Sequence, residues 1–245
     1  MAIRSVGVVG CGLMGGGIAQ VSVQAGFPTI AVEASQQLLD RGLAGIKKNL
    51  DTLVAKARID QKARDEALGR LTGATRLEEL KACDLVVEAM TENQSLKNET
   101  FARLDAICPP HALLATNTSS CNVTALAAAT RRPGQVLGLH FFNPVPLMKL
   151  VEVVQTILTS DATVTTAWEW VQTLGKTPVR TKDSTAFIVN RLLVPYLLDA
   201  VRLYESGLAS LEDIDTAMKL GCDTRWGPSR SSTWSASTPP SSWPT

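Results

Sequence analysis

The chain has little of what a metal site, a disulfide framework or a membrane span would need. Its two histidines, His111 and His140, leave scant material for a metal cluster. Its five cysteines (Cys11, Cys83, Cys108, Cys121 and Cys222) have neither an even count nor paired spacing, which argues against disulfides and zinc alike. No apolar run approaches the roughly eighteen residues of a membrane-spanning helix. Charge of one sign is missing too: 24 basic side chains face 23 acidic ones, with no basic run, so nothing draws the chain to nucleic acid or an anionic membrane. The amino terminus, Met1–Ser5, leads within a few residues into a strand-like run and does not read as a signal peptide. The expectation is a soluble, cytoplasmic, metal-free globular protein. At 245 residues it has room for one large or two modest domains.

What is present is alternation. Val6–Val9, Thr29–Val32, Asp84–Val87, Leu113–Ala115 and Val136–Leu139 have the length and β-rich character of buried strands. Helical patterns lie between them at about 13–26, 36–56, 95–107 and 122–129. Each crossover lays a helix over the sheet, so the pattern predicts an α/β fold with a doubly wound parallel sheet of Rossmann type over residues 1–185. The charged stretch 36–71 suggests helices projecting beyond that sheet. From about residue 186 a helical stripe (Ile188, Leu192, Leu193, Tyr196, Leu197) runs to Gly207. Ser210-Leu211-Glu212-Asp213 starts another helix, stopped at Gly221. Residues 186–228 therefore read as a smaller, incomplete all-helical domain. The last eighteen residues hold seven serines, three threonines, four prolines and two tryptophans, so 229–245 read as a disordered tail.

Gly10-Cys11-Gly12-Leu13-Met14-Gly15 is G-x-G-x-x-G between a strand and an apolar helix, the context in which the motif binds a dinucleotide. The first glycine permits the tight turn, the second the approach of pyrophosphate, and the third close helix–strand packing. Gly16 and Gly17 add two more and predict a looser first helical turn. Glu33 ends the second strand eighteen residues after Gly15. Its carboxylate suits the adenosine ribose of NAD and would repel the extra phosphate of NADP.

His140-Phe141-Phe142-Asn143-Pro144 follows the strand Val136–Leu139, and Glu152 lies twelve residues after His140 inside an apolar run. A buried carboxylate needs a partner. His140 is the obvious one, and the pairing would fix its tautomer and make it a general base. His111, in a proline-rich turn, reads as solvated. Asn117-Thr118-Ser119-Ser120 follows another strand; these are either ligand-bonding groups or ordinary turn residues.

With these segments placed, the chain resembles the L-3-hydroxyacyl-CoA dehydrogenases, especially their 3-hydroxybutyryl-CoA branch. The resemblance rests on Gly10–Ala19, Val86–Ala89, Thr116–Ser120 and the long block His140–Glu152. Asp183-Ser184, Phe187–Arg191 and Glu212–Asp215 extend it to about residue 228. It implies NAD as cofactor and an acyl-CoA as substrate, with His140 as base and Glu152 as its orienting carboxylate. It also implies that Ser119 and Asn190 contact the substrate, that Asn143 helps hold the acyl thioester, and that Asn117, Glu92 and Lys97 line the nicotinamide side. Lys56 and Arg58 are candidates for the coenzyme A phosphates, or simply a solvated helix face.

The family continues beyond Gly227-Pro228 with helices that build a homodimer interface, where this chain carries Ser, Thr, Pro and Trp. Reverse-translated with G/C-rich codons and read one base back, Ser231–Pro240 gives Leu-Leu-Asp-Leu-Val-Gly-Leu-Asp-Thr-Thr, the stretch with which the family continues. The tail is thus expected to be a frameshift product, leaving dimerisation weakened. Two other readings stay open: a related dehydrogenase of a hydroxy acid without coenzyme A, and an NAD-binding protein made inactive by its tail.

Overall fold

The computed structural model describes residues 2–224 together with Gly227 and Pro228; the tail at 229–245 lies outside the described residues. The chain divides into two compact units, residues 1–187 and 188–245.

The first unit opens with β1 (Val6–Val9), α1 (Leu13–Gln24), β2 (Thr29–Val32), α2 (Gln36–Ala55), α3 (Gln61–Gly69) and β3 (Leu71–Ala74). After a 3-10 turn at Leu77–Leu80 come β4 (Leu85–Glu88), α4 (Gln94–Ile107), β5 (Leu113–Thr116) and α5 (Val123–Ala128). It closes with β6 (Val136–Phe141), β7 (Leu150–Gln155), α6 (Asp161–Thr173) and β8 (Thr177–Lys182). The eight strands form one sheet in the order β3-β2-β1-β4-β5-β6-β7-β8. Every residue of β1, β4, β5 and β6 is buried, as expected of strands covered on both faces. Alternate residues feed two cores. Leu85, Val87, Leu137 and Phe141 meet Ile18, Leu50 and Trp170 on one face. Val86, Leu114 and Val136 meet Phe101, Leu104 and Leu126 on the other.

The all-parallel expectation holds from β3 to β6 and fails beyond: β7 runs antiparallel to β6, and β8 parallel to β7. The short β6–β7 connection has no crossover helix, so the chain can only turn back. Two edge strands were not foreseen. β3 (Leu-Thr-Gly-Ala) is half exposed, and β8 (Thr-Pro-Val-Arg-Thr-Lys) is polar, so neither presents an apolar run. Helix α6 was not foreseen either, being rich in residues of modest helix propensity such as Thr and Val. The looser start expected of α1 is absent: the Gly16 N–H donates to Gly12 O at 2.8 Å, and the helix runs unbroken to Gln24. Gly17 instead accommodates a neighbour, since a Cβ there would lie 2.7 Å from Val145 Cβ.

The second unit contains α7 (Val189–Glu205) and α8 (Leu211–Gly221). Ser210 caps α8, accepting from the Asp213 N–H at 3.1 Å. Among the described residues no helix is long and apolar enough to cross a membrane, and no group of three or more His, Cys, Asp or Glu could hold a metal ion.

Candidate functional site

Parallel pairing aligns the strand ends of the first unit, with Val9 beside both Val32 and Glu88, and Glu88 beside Thr116. Gly10, Glu33, Ala89 and Asn117 therefore emerge together at the carboxyl edge. The order reverses direction between β1 and β4, which is where open α/β sheets bind ligands.

The glycine-rich turn stands there. Gly10 has φ +91° and leads into α1. The other α-helices of this unit have a side-chain cap on an amide of the first turn: Ser35 on Leu38, Asp60 on Ala63, Asn93 on Leu96, Asn122 on Ala125 and Ser160 on Thr163. Helix α1 begins at Gly12 with none. A Cβ on Gly12 would meet nothing within 4 Å, whereas one on Gly15 would lie 1.7 Å from Gly10 O. Free helix-start donors behind an open glycine fit a pyrophosphate, so Gly10, Gly12, Leu13, Met14 and Gly15 suit the dinucleotide. Glu33 Oε1 accepts the Cys11 N–H at 2.6 Å, bracing the turn, and Oε2 accepts the Ala34 N–H at 3.1 Å. Burial and the nearby Glu33 push the Cys11 thiol up to about 11, so it stays protonated.

His140 lies within β6 rather than after it, directly opposite Glu152 on β7. The antiparallel register brings His140 Nδ1 to 2.6 Å from Glu152 Oε2. Glu152 is fully buried and the His140 side chain is 7% exposed. The rings of Phe142 and Phe187 lie 4.6 and 5.4 Å from the imidazole. Asn117 does not face outward as a free ligand: its Oδ1 accepts the Phe141 N–H at 3.0 Å, one residue after His140.

A second polar cluster joins β4, α4 and the turn after β5. Lys97 Nζ sits 2.6 Å from Glu88 Oε1 and 3.7 Å from Glu92 Oε2. Glu88 Oε2 also accepts the Thr116 hydroxyl at 2.7 Å. Glu92 accepts the Thr118 hydroxyl at 2.5 Å, the Ser119 N–H at 2.9 Å and the Ser119 hydroxyl at 3.4 Å. Burial works to raise the Glu92 carboxyl, but the bonds from Thr118 and Ser119 and the charge of Lys97 prevail and hold it below the usual range. Glu92, Lys97 and Ser119 thus form one connected group. Lys176 is also buried, its Nζ donating to Val145 O at 2.6 Å and Met148 O at 2.7 Å, which clamps the turn after Asn143. Burial, with Lys149 nearby, pushes it down to about 8.

Asn143 is exposed beside Pro144, and Lys56 and Arg58 are exposed on the α2–α3 turn. Asn190 belongs to the second unit, in the first turn of α7. His111, expected in solvent, is exposed but bonded: its Nε2 lies 2.9 Å from Asp84 Oδ1. Lys176 escaped notice in the sequence, Glu88 and Phe187 entered only as members of segments that carry the resemblance, and Thr118 only as one of the polar turn residues after β5. Glu88 could have been found by the criterion that found Glu152, a carboxylate inside an apolar strand.

An uncapped glycine-rich turn at the switch point, an acid just after β2 and a buried His–Glu pair at the same edge are an arrangement that suits an NAD-dependent oxidoreductase. The chain belongs to the 3-hydroxyacyl-CoA dehydrogenase family: residues 5–184 match its NAD-binding domain and residues 187–233 its C-terminal domain. It is 46% identical over 231 residues to a 3-hydroxybutyryl-CoA dehydrogenase of Mycobacterium tuberculosis, covering 94% of this chain and 81% of that one. It is 48% identical over 232 residues to the mitochondrial hydroxyacyl-coenzyme A dehydrogenase of Sus scrofa, covering 92% of this chain and 74% of that one. The crystal structure of (S)-3-hydroxybutyryl-CoA dehydrogenase PaaH1 from Ralstonia eutropha matches 93% of this chain and 80% of its own, with TM-score 0.90 and 42% identity.

Proposed function

We propose that the protein interconverts a short-chain L-3-hydroxyacyl-CoA, such as 3-hydroxybutyryl-CoA, and the 3-ketoacyl-CoA, with His140 as general base. The observation that carries this is the 2.6 Å contact between His140 Nδ1 and the buried Glu152. A carboxylate there accepts from Nδ1–H and leaves Nε2 with its lone pair. Nε2 can then take the proton of the C3 hydroxyl, while Glu152 stabilises the imidazolium that forms. Bound NAD supplies the hydride acceptor. In the opposite direction His140 returns the proton to the carbonyl oxygen.

Ser119, Asn143 and Asn190 are assigned to the substrate, and Lys56 and Arg58 to the coenzyme A phosphates. Glu92 holds the Ser119 turn in place through its backbone and hydroxyl bonds. Glu92 and Asn143 are assigned to the nicotinamide side, Asn117 and Lys97 to holding that wall from within the fold, and Glu33 to the adenosine ribose. The short-chain preference draws on the Mycobacterium and Ralstonia relatives, both named for the four-carbon substrate.

The test is NADH absorbance with acetoacetyl-CoA, with NADPH and longer 3-ketoacyl-CoAs in parallel. Oxidation of NADH with the four-carbon substrate is expected. His140→Ala should cut kcat on the order of 10²–10⁴-fold while NADH still binds. Unaltered turnover in that variant would exclude His140 as the base.

A further inference from the structure

The hydrogen bond to Glu152 restrains one distance, from Nδ1 to Oε2, and a single distance does not determine both side-chain torsions of His140. Two aromatic side chains supply what is missing. Phe142, two residues along the chain, lies 4.6 Å from the imidazole at an interplanar angle of 58°. Phe187 comes from the far end of the unit and lies 5.4 Å away at 56°. It is 4% exposed and clusters with Val123 and Val154, so its own ring is held in turn.

The segment delivering Phe187 is anchored and strained. At its start Asp183 Oδ2 accepts both the N–H and the hydroxyl of Thr124, at 2.7 and 2.6 Å. The Phe187 N–H closes a turn on Ser184 O at 3.0 Å. Ala186 and Phe187 then adopt left-handed backbone, with φ of +65° and +52°, two neighbouring residues that both carry a Cβ. Such conformations persist where the surroundings over-determine them, and they concentrate at functional sites. Here the contorted backbone places an aromatic ring beside the imidazole at the last residue of the first unit.

We propose that Phe187 is a positioning residue for the reaction: it acts through His140, keeping the imidazole in the orientation in which Nδ1 meets Glu152 and Nε2 meets the substrate hydroxyl. This rests on His140 being the base. Misplacement of a catalytic group by about 1 Å can lower a rate on the order of 10²-fold, so a ring freed on one side should lower kcat by about tenfold or more.

The experiment is a double-mutant cycle on kcat in the full chain, using Phe187→Ala, His140→Ala and the pair, with NADH affinity measured by fluorescence. Phe187→Ala should lose kcat by about tenfold or more with NADH affinity unchanged, and Phe187→Leu, which restores the apolar bulk, should recover most of it. In the His140→Ala background, Phe187→Ala should cause no further loss. Equal fractional losses in both backgrounds, or a loss confined to NADH affinity, would overturn the proposal. So would wild-type kcat in Phe187→Ala. If Phe187→Ala does not fold, the cycle is run with Phe187→Gly, which removes the ring and relieves the left-handed backbone, with the same outcomes decisive. An active His140→Ala would instead overturn the base assignment itself, and is told apart because failure of the present proposal alone leaves that variant inactive.

Discussion

At the scale of single residues, a charge taken out of water has to be met by a partner inside the fold, and the two fully buried carboxylates of the sheet, Glu88 and Glu152, are met by Lys97 and His140. Glu152 and His140 could be paired from sequence because a carboxylate in an apolar run demands a partner. Glu88 obeyed the same rule, yet its partner Lys97 lies on a helix whose polar residues gave no hint that the ammonium is buried. Backbone strain was invisible: nothing in Thr185-Ala186-Phe187 announces two left-handed residues, since glycine, the usual marker, is absent. Ala186→Gly removes the Cβ penalty at φ +65°. It is expected to raise stability by about 1 kcal/mol net of the added freedom of the unfolded chain. Denaturant midpoints at unchanged m-value measure this, and a lower midpoint would show that the alanine methyl makes contacts worth more than the strain.

At the scale of elements, strands buried on both faces were read correctly because they are continuous apolar runs. The edges β3 and β8 were missed because an edge strand need not be apolar. The reversal of β7 was missed although it sets the central contact of the site: only antiparallel pairing puts His140 opposite Glu152. Helix α1 allows cofactor binding and packing to be separated by substitutions at two glycines, Gly12 at its N-cap and Gly17 within it. Gly12→Ala adds a methyl that meets no protein atom within 4 Å, so thermal stability should stay the same while NADH affinity falls. Gly17→Ala drives a methyl against Val145, 2.7 Å away at a branched side chain that cannot swing clear. Overpacking of this kind typically destabilises by about 1–3 kcal/mol, and the loss should appear in the Tm of the apoprotein. If Gly12→Ala left NADH affinity untouched, the turn would not be the pyrophosphate site.

At the scale of the whole molecule, titratable groups tie both rims of the sheet, and their signs set how the fold responds to pH. At the amino-end rim, Asp84 accepts the N–H groups of Arg4 and Ser5 and the Ser5 hydroxyl, besides its contact with His111. Nearby, Asp105 joins α4 to Arg131 and Arg132, which lead into β6. Glu92 holds the turn after β5 at the opposite rim. In all three, burial works to raise the carboxyl and is outweighed. For Asp84 the opposing groups are His111, Arg4 and Ser5; for Asp105 they are Arg131 and Arg132; for Glu92 they are chiefly Thr118, Ser119 and Lys97. A folded-state pKa below the unfolded one means stability is fully present above the unfolded value, about 4, and is lost as the pH falls through the folded value. Lys176 has the opposite consequence. Its folded pKa of about 8 lies below the unfolded value of 10.5, so the buried ammonium is a penalty at neutral pH. That penalty is relieved as the pH rises from about 8 to 10.5, where the folded protein binds fewer protons than the unfolded chain. Urea titrations across pH should therefore show stability falling below about pH 4, with Asp105→Asn flattening that acid limb. Lys176→Met leaves Val145 O and Met148 O without a donor, so it should lower stability at neutral pH while removing the rise above pH 8. The same upward limb in Lys176→Met as in the parent protein would mean that another group titrates there, and that the buried ammonium keeps its proton throughout.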